Sequence, residues 1–276
     1  MRLPGQRHLS VTAKSPIMTR MTPQDLHALA FGFFSGALIL MTGVGAGAIV
    51  VPGLIALFGL PPSLAIGTAS VFSVLTKIMA GLSHLRGGNV SRPLFVSFSK
   101  YALPATLLFA LLINGLLKWL PAHGGAIQMS LKLAVVIAAA CALALMFLKG
   151  LNSAVRKSGP YFMPVLSGAL VGATGVGGGV LIVPALLASS TESVKRIVGT
   201  SVILGLLLSV ATGMIYGAAG ALAWRIALLM SAGAMIAMPV AGRLFKRASD
   251  AHVRLLSGAL IALAIAVMLF DIISKR

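Results

Sequence analysis

The stretch "TGVGAGAIVVP", residues 42–52, lies in a part of the chain that carries no Lys, Arg, Asp or Glu between Asp25 and Lys77. It returns as "TGVGGGVLIVP" at residues 174–184. A glycine inside a helix costs about 1 kcal/mol relative to alanine, so a cluster of them marks a place where the helix stops. In lipid, interrupted backbone is tolerated only where other protein or a watered cavity satisfies the freed N–H and C=O groups. The two runs therefore imply a cavity or a tight crossing at two related places.

Lipid is the expected solvent because hydrophobic residues make up 58% of the 276 and charged residues only 9%. The mean hydropathy of +1.03 points the same way. A soluble core of this length cannot hide so much apolar surface. Long apolar runs broken by Gly and Pro, without ten-residue alternation, predict an all-α polytopic membrane protein rather than an outer-membrane barrel. The net charge of +18 comes from 22 Lys and Arg lying mostly between apolar segments. There they set orientation and meet anionic headgroups, so nucleic acid is not an expected partner. The acidic residues Asp25, Glu192, Asp250 and Asp271 all fall at segment ends or in loops, and the single Cys141 excludes an internal disulfide.

Eight apolar segments are expected, at about residues 28–59, 64–85, 101–117, 131–148, 162–190, 196–216, 224–241 and 254–273. Most approach the ~20 residues needed to cross the hydrocarbon core. Laid on itself at an offset of 132, the chain matches seven of eleven positions across the two glycine motifs. The same offset pairs Gly67-Thr68 with Gly199-Thr200, Gly81 with Gly213 and Gly88 with Gly220. This is an internal repeat. The expected organisation is a basic tail at 1–27, a first membrane repeat at 28–150 and a second at 151–276. The tail lacks the apolar core of a cleavable signal peptide and is expected to be disordered, with Met18 or Met21 as the true start the alternative.

Loop charges bear on orientation. If all eight segments cross fully, the Lys and Arg outside the tail, Lys77 omitted, divide nine to eight between the two sides. If the second glycine-broken segment, alone or together with the first, enters and leaves on one side, the second half turns over and the division becomes twelve to five. The positive-inside rule favours this inverted repeat.

Helices restarting after Gly47 and Gly179 would direct bare amides and a positive dipole end at the breaks, an arrangement suited to an anion. Gly43 and Gly45 in the first run, and Gly175, Gly177 and Gly178 in the second, join these as candidate binding residues, with Thr42 and Thr174 preceding each run. Pro52 and Pro184 fall about a turn or more into the restarted helices and weaken them as continuous spans. Close helix packing is the alternative use of such glycines. A nucleotide-binding loop is not, because no strand precedes either run and no Gly-Lys-Ser/Thr follows.

Lys77 is the one cation deep in a segment. Ser70, Ser73, Lys77 and His84 share one helical face, and an ammonium there needs a counter-charge that no intramembrane carboxylate supplies. The missing partner is expected to be the substrate, with backbone carbonyls or burial in the neutral form as the alternative. In the second half the equivalent face reads Val202, Gly205, Ser209 and Tyr216, so the charge is not duplicated. Thr68 and the pair Thr200-Ser201, at the starts of segments 2 and 6, are matched hydroxyls available to donate to an oxyanion or to cap a helix.

The motifs "TGVGAGAIVVPGL…GTASV" and "GATGVGGGVLIVPAL…VGTSV" resemble those of the TauE/SafE family of sulfite exporters and related permeases, over about residues 28–273. Ala46 departs from the pattern where a glycine is expected. The resemblance implies a bacterial inner-membrane carrier of anionic sulfur compounds such as sulfite or organosulfonates. The reading from residues and the resemblance converge on a secondary transporter that binds a small anion at the midplane. A channel of the same architecture shares these features. An intramembrane enzyme would need clustered His, Asp, Glu or Cys, or a nucleophile with its base, which the apolar segments lack. No cofactor is expected, and energy would come from a gradient. The expected partners are the small anion and the lipid bilayer, with the oligomeric state open and a homodimer among the options.

Overall fold

The computed structural model describes residues 22–42, 47–147, 161–175, 181–245 and 250–274. Most of the basic tail, the join between the repeats, and Gly43, Gly45, Gly177, Gly178 and Gly179 lie outside the described residues. Among those described the secondary structure is helical, with no strand. The first half contributes α1 (Pro23–Thr42), α2 (Gly47–Phe58), α3 (Pro62–Arg86), α4 (Arg92–Trp119) and α5 (Gly124–Phe147). The second contributes α6 (Phe162–Thr174), α7 (Ile182–Ser189), α8 (Val194–Ala218), α9 (Trp224–Phe245) and α10 (Asp250–Ser274). Helices α3, α4 and α8, and the stretch Pro121–Cys141 leading through α5, are each long and apolar enough to cross a membrane.

The first and fifth apolar segments each form two helices, and both pairs fold back on themselves. In one straight rod Phe31 and Phe58 would stand about 40 Å apart at 1.5 Å per residue. Their rings lie 6.0 Å apart, and a side chain at Gly53 would collide with the Phe31 ring. Helix α2 therefore runs back along α1. In the second half Met163, 132 residues after Phe31, packs with Leu170 against Leu181, at the start of α7. A continuous rod would separate Met163 and Leu181 by about 27 Å.

The halves interlock reciprocally. Helix α1 packs most extensively on α9, and its counterpart α6 packs on α4. In the first pair a Cβ at Gly36 would strike Ala234; in the second a Cβ at Gly168 would strike the backbone of Ala102. The two contacts are the same contact 132 residues apart, and both need small residues for backbones to approach so closely. Helices α3 and α8 pair across the centre. Gly67 abuts Ala221 and Tyr216, Gly81 abuts Ile203, and Gly199 abuts Asn89 and His84. Residue numbers fall on α8 as they rise on α3, so these equivalent helices run antiparallel.

The turns after α3 and α8 repeat down to single hydrogen bonds. Gly88 and Gly220 hold φ of 66° and 73°, a left-handed conformation that glycine adopts without a Cβ penalty. The amide of Asn89 then donates to the His84 carbonyl at 3.0 Å, and that of Ala221 to the Tyr216 carbonyl at 2.8 Å.

The outer surface is apolar, as lipid requires. Leu108, Leu111 and Leu112 on α4, Leu228 and Ile236 on α9 and Leu263, Phe270 and Ile273 on α10 are all exposed, whereas Ser73, Thr76, Lys77, Thr106, Ser209 and Thr212 are buried. Helix α4 starts at Arg92, well before the apolar run that begins near residue 101. Hydropathy marks the hydrocarbon-facing part of a helix, and Pro93 in the first turn with the exposed Lys100 carries the same helix into the interface.

Candidate functional site

Lys77 lies at the centre of the α3–α8 contact and is 5% exposed. Its Nζ donates to Ser209 Oγ at 3.3 Å, and Ser209 Oγ in turn lies 3.0 Å from Ser73 Oγ. Ser73 and Ser209 are themselves buried. A hydroxyl gives an ammonium a dipole rather than a counter-charge, and a buried charge left on dipoles alone is costly. Two of the four carboxylates are engaged elsewhere. Arg225 holds Asp25 bidentately, Nε to Oδ1 and Nη2 to Oδ2, both at 2.7 Å. Arg196 and the Ser91 hydroxyl hold Glu192 at 3.2 and 3.0 Å. These hydrogen bonds lower both carboxyl groups from their ordinary values, Asp25 to well below the usual carboxylate range.

The second glycine run begins where the sequence places the break. Helix α6 ends at Thr174, and Gly175 follows with φ of 66°, its amide closing on the Val171 carbonyl. A Cβ there would lie 3.2 Å from Ile66 and 3.4 Å from Val51, so this break rests on α2 and α3 of the first repeat. The Tyr216 hydroxyl donates to the carbonyls of Gly172 and Ala173, at 3.1 and 3.3 Å. The carbonyls that a helix end exposes are thereby partly satisfied by the opposite element of the same repeat. In the first run, Thr42 is the last residue of α1 and Gly47 the first of α2.

The candidate residues do not all converge. Lys77 lies eleven residues past Ile66 on α3, about 16 Å along the helix, so Gly175 and the lysine stand at different levels. Thr174 donates to the Leu170 carbonyl at 2.6 Å, Ser70 to Ile66 at 2.8 Å and Ser201 to Val198 at 2.7 Å. Thr68 and Thr200 serve as inter-repeat latches. Thr68 donates to the Leu64 carbonyl and accepts from the Ala223 amide at 3.0 Å. Thr200 donates to the Arg196 carbonyl and accepts from the Ser91 amide at 2.9 Å. Their hydroxyl protons are committed to backbone in this conformation. Pro184 sits in the first turn of α7, where a missing N–H breaks no helical hydrogen bond, whereas Pro52 is inside α2.

Ser209 and Tyr216 carry roles that residue type alone did not assign. The signal was present in the numbering, since each is the counterpart, 132 residues on, of a residue on the polar face of α3: Ser209 of Lys77, Tyr216 of His84.

A multi-pass helical scaffold with interlocked halves, an apolar exterior, a polar interior seam and two broken helices defines a membrane transport protein. The family described as sulfite exporter TauE/SafE matches residues 28–268, and the chain belongs to that family. It is similar to the probable membrane transporter protein YjnA of Bacillus subtilis (strain 168), with 27% identity over 246 residues that cover 84% of this chain and 95% of the relative. No solved structure matches the chain.

Proposed function

We propose that this membrane transporter is a secondary carrier of small sulfur oxyanions, sulfite or an organosulfonate, working by alternating access between two inverted repeats in a bacterial inner membrane. The observation that carries the reading is Lys77: a cation 5% exposed, at the middle of a membrane-length helix, bonded to a neutral hydroxyl. An anionic cargo is the natural complement of such a group. The family's description as sulfite exporters supports the sulfur oxyanion.

Inversion is supported by the antiparallel pairing of α3 with α8 and by the two folded-back hairpins. Each hairpin returns to its own side, leaving three crossings per half, so the second half enters the membrane the other way up. This arrangement puts the basic tail on one side and twelve of the seventeen loop cations on the other, the side bearing residues 86–100, 149–157, 191–196 and 242–254. By the positive-inside rule that side faces the cytoplasm. Two similar halves that exchange conformations give the inward-facing and outward-facing states.

The test is counterflow. Proteoliposomes holding the purified chain and loaded with unlabelled sulfite should transiently accumulate radiolabelled sulfite above its outside concentration. Equilibration without overshoot, together with unitary currents in a planar bilayer, would replace the carrier with a channel.

A further inference from the structure

Positions 77 and 209 are equivalent in the two repeats, and they touch: Lys77 Nζ lies 3.3 Å from Ser209 Oγ. A residue meets its own counterpart only on the pseudo-twofold axis. The polar cluster is therefore single, placed symmetrically between the two sides of the molecule, unlike the paired latches at Thr68 and Thr200. Its composition is not symmetric. Ser73, which bonds Ser209 at 3.0 Å, has Gly205 as its counterpart, and Lys77 has Ser209. The axis thus carries one cation and two hydroxyls, all three side chains being more than nine-tenths buried.

We infer that Lys77, Ser73 and Ser209 form one anion site on the axis that selects ligands by charge, accepting monoanions such as sulfonates or hydrogensulfite and rejecting dianions such as sulfate. This deepens the anion-carrier reading and rests on it. A monoanion replaces the Lys77–Ser209 hydrogen bond, neutralises the ammonium and takes the two hydroxyl protons on its remaining oxygens. A dianion in the same place leaves one negative charge away from water without a partner, and such a charge is strongly disfavoured. Location on the axis also gives the ligand equal access from either side as the halves rock.

The experiment measures uptake of methanesulfonate and of sulfate by proteoliposomes containing the full chain. Wild type should favour methanesulfonate by at least ~10-fold, the minimum expected from stranding a buried charge. Lys77→Ser should fall to the protein-free rate for both anions, and the double variant Lys77→Ser with Ser209→Lys, which moves the single cation to the equivalent position, should restore uptake together with the preference. Equal uptake of the two anions by wild type overturns the charge selection and leaves the carrier reading standing. Uptake of neither, nor of sulfite, overturns the carrier reading as well. A double variant that unfolds at the wild-type temperature yet lacks the preference overturns the axial site.

Discussion

Thr68 of the first repeat accepts a hydrogen bond from the amide of Ala223 in the second, and the pair Thr200 and Ser91 reproduces that bond 132 residues out of phase, at 2.9 against 3.0 Å. The latches close the two ends of the α3–α8 contact, and each ties the turn of one repeat to the helix of the other. They hold the halves together at points that must move if the halves rock.

Replacing Thr200 with valine keeps the shape and removes the acceptor, leaving the amide of buried Ser91 unpaired. The expected loss is about 1–3 kcal/mol. Thermal unfolding in detergent should show a lower midpoint for Thr200→Val and a near wild-type midpoint for Thr200→Ser.

Glycines at the helix crossings and those with open space beside them should respond in opposite directions. Gly168→Leu drives a side chain into the backbone of Ala102, so monodisperse folded protein should be lost on size exclusion. Gly115 lies within α4 with nothing near its position. Gly115→Ala should stabilise by about 0.5–1 kcal/mol through helix propensity alone.

Tyr216 holds the end of α6 through two carbonyls. Tyr216→Phe should speed hydrogen exchange at the amides closing that last turn, near Thr174 and Gly175, while exchange in α3 stays unchanged. Uniform faster exchange throughout the molecule would show that the hydroxyl supports global packing instead.

Asp25 is held far below its ordinary value by the Arg225 guanidinium, with help from the Thr22 amide and hydroxyl. A depressed carboxyl stabilises the fold above its unfolded pKa, near 3.8, and that contribution fades as pH falls through the folded value. The difference in unfolding temperature between wild type and Asp25→Asn should therefore be constant from about pH 5 to 8 and shrink below about pH 4. A difference that grew on acidification would contradict the pairing.

Much of this architecture was legible because duplication preserves spacing. The offset that aligns the glycine motifs also aligns Gly67 with Gly199 and Gly88 with Gly220, and each pair does the same work in the structure. The course of the chain beyond each break was not legible. A glycine cluster says that a helix stops, whereas the direction of restart depends on packing such as Phe31 against Gly53 and Phe58, between residues far apart in a straight helix. The hydroxyls show the same limit. Thr68 and Thr200 read equally as oxyanion donors or caps, and the tertiary contact gave them a third use as acceptors for the opposite repeat's turn. Ser209 was visible as a polar residue on α8, and only the crossing of α3 with α8 shows that it faces Lys77.

Lys77 is proposed to supply the charge that draws an anion into the membrane interior. The direct measurement is the initial rate of radiolabelled sulfite uptake by proteoliposomes carrying wild type or Lys77→Met, each shown to be folded by its unfolding transition. Lys77→Met is expected to fall to the rate of protein-free vesicles. Uptake by the folded variant at the wild-type rate would contradict it.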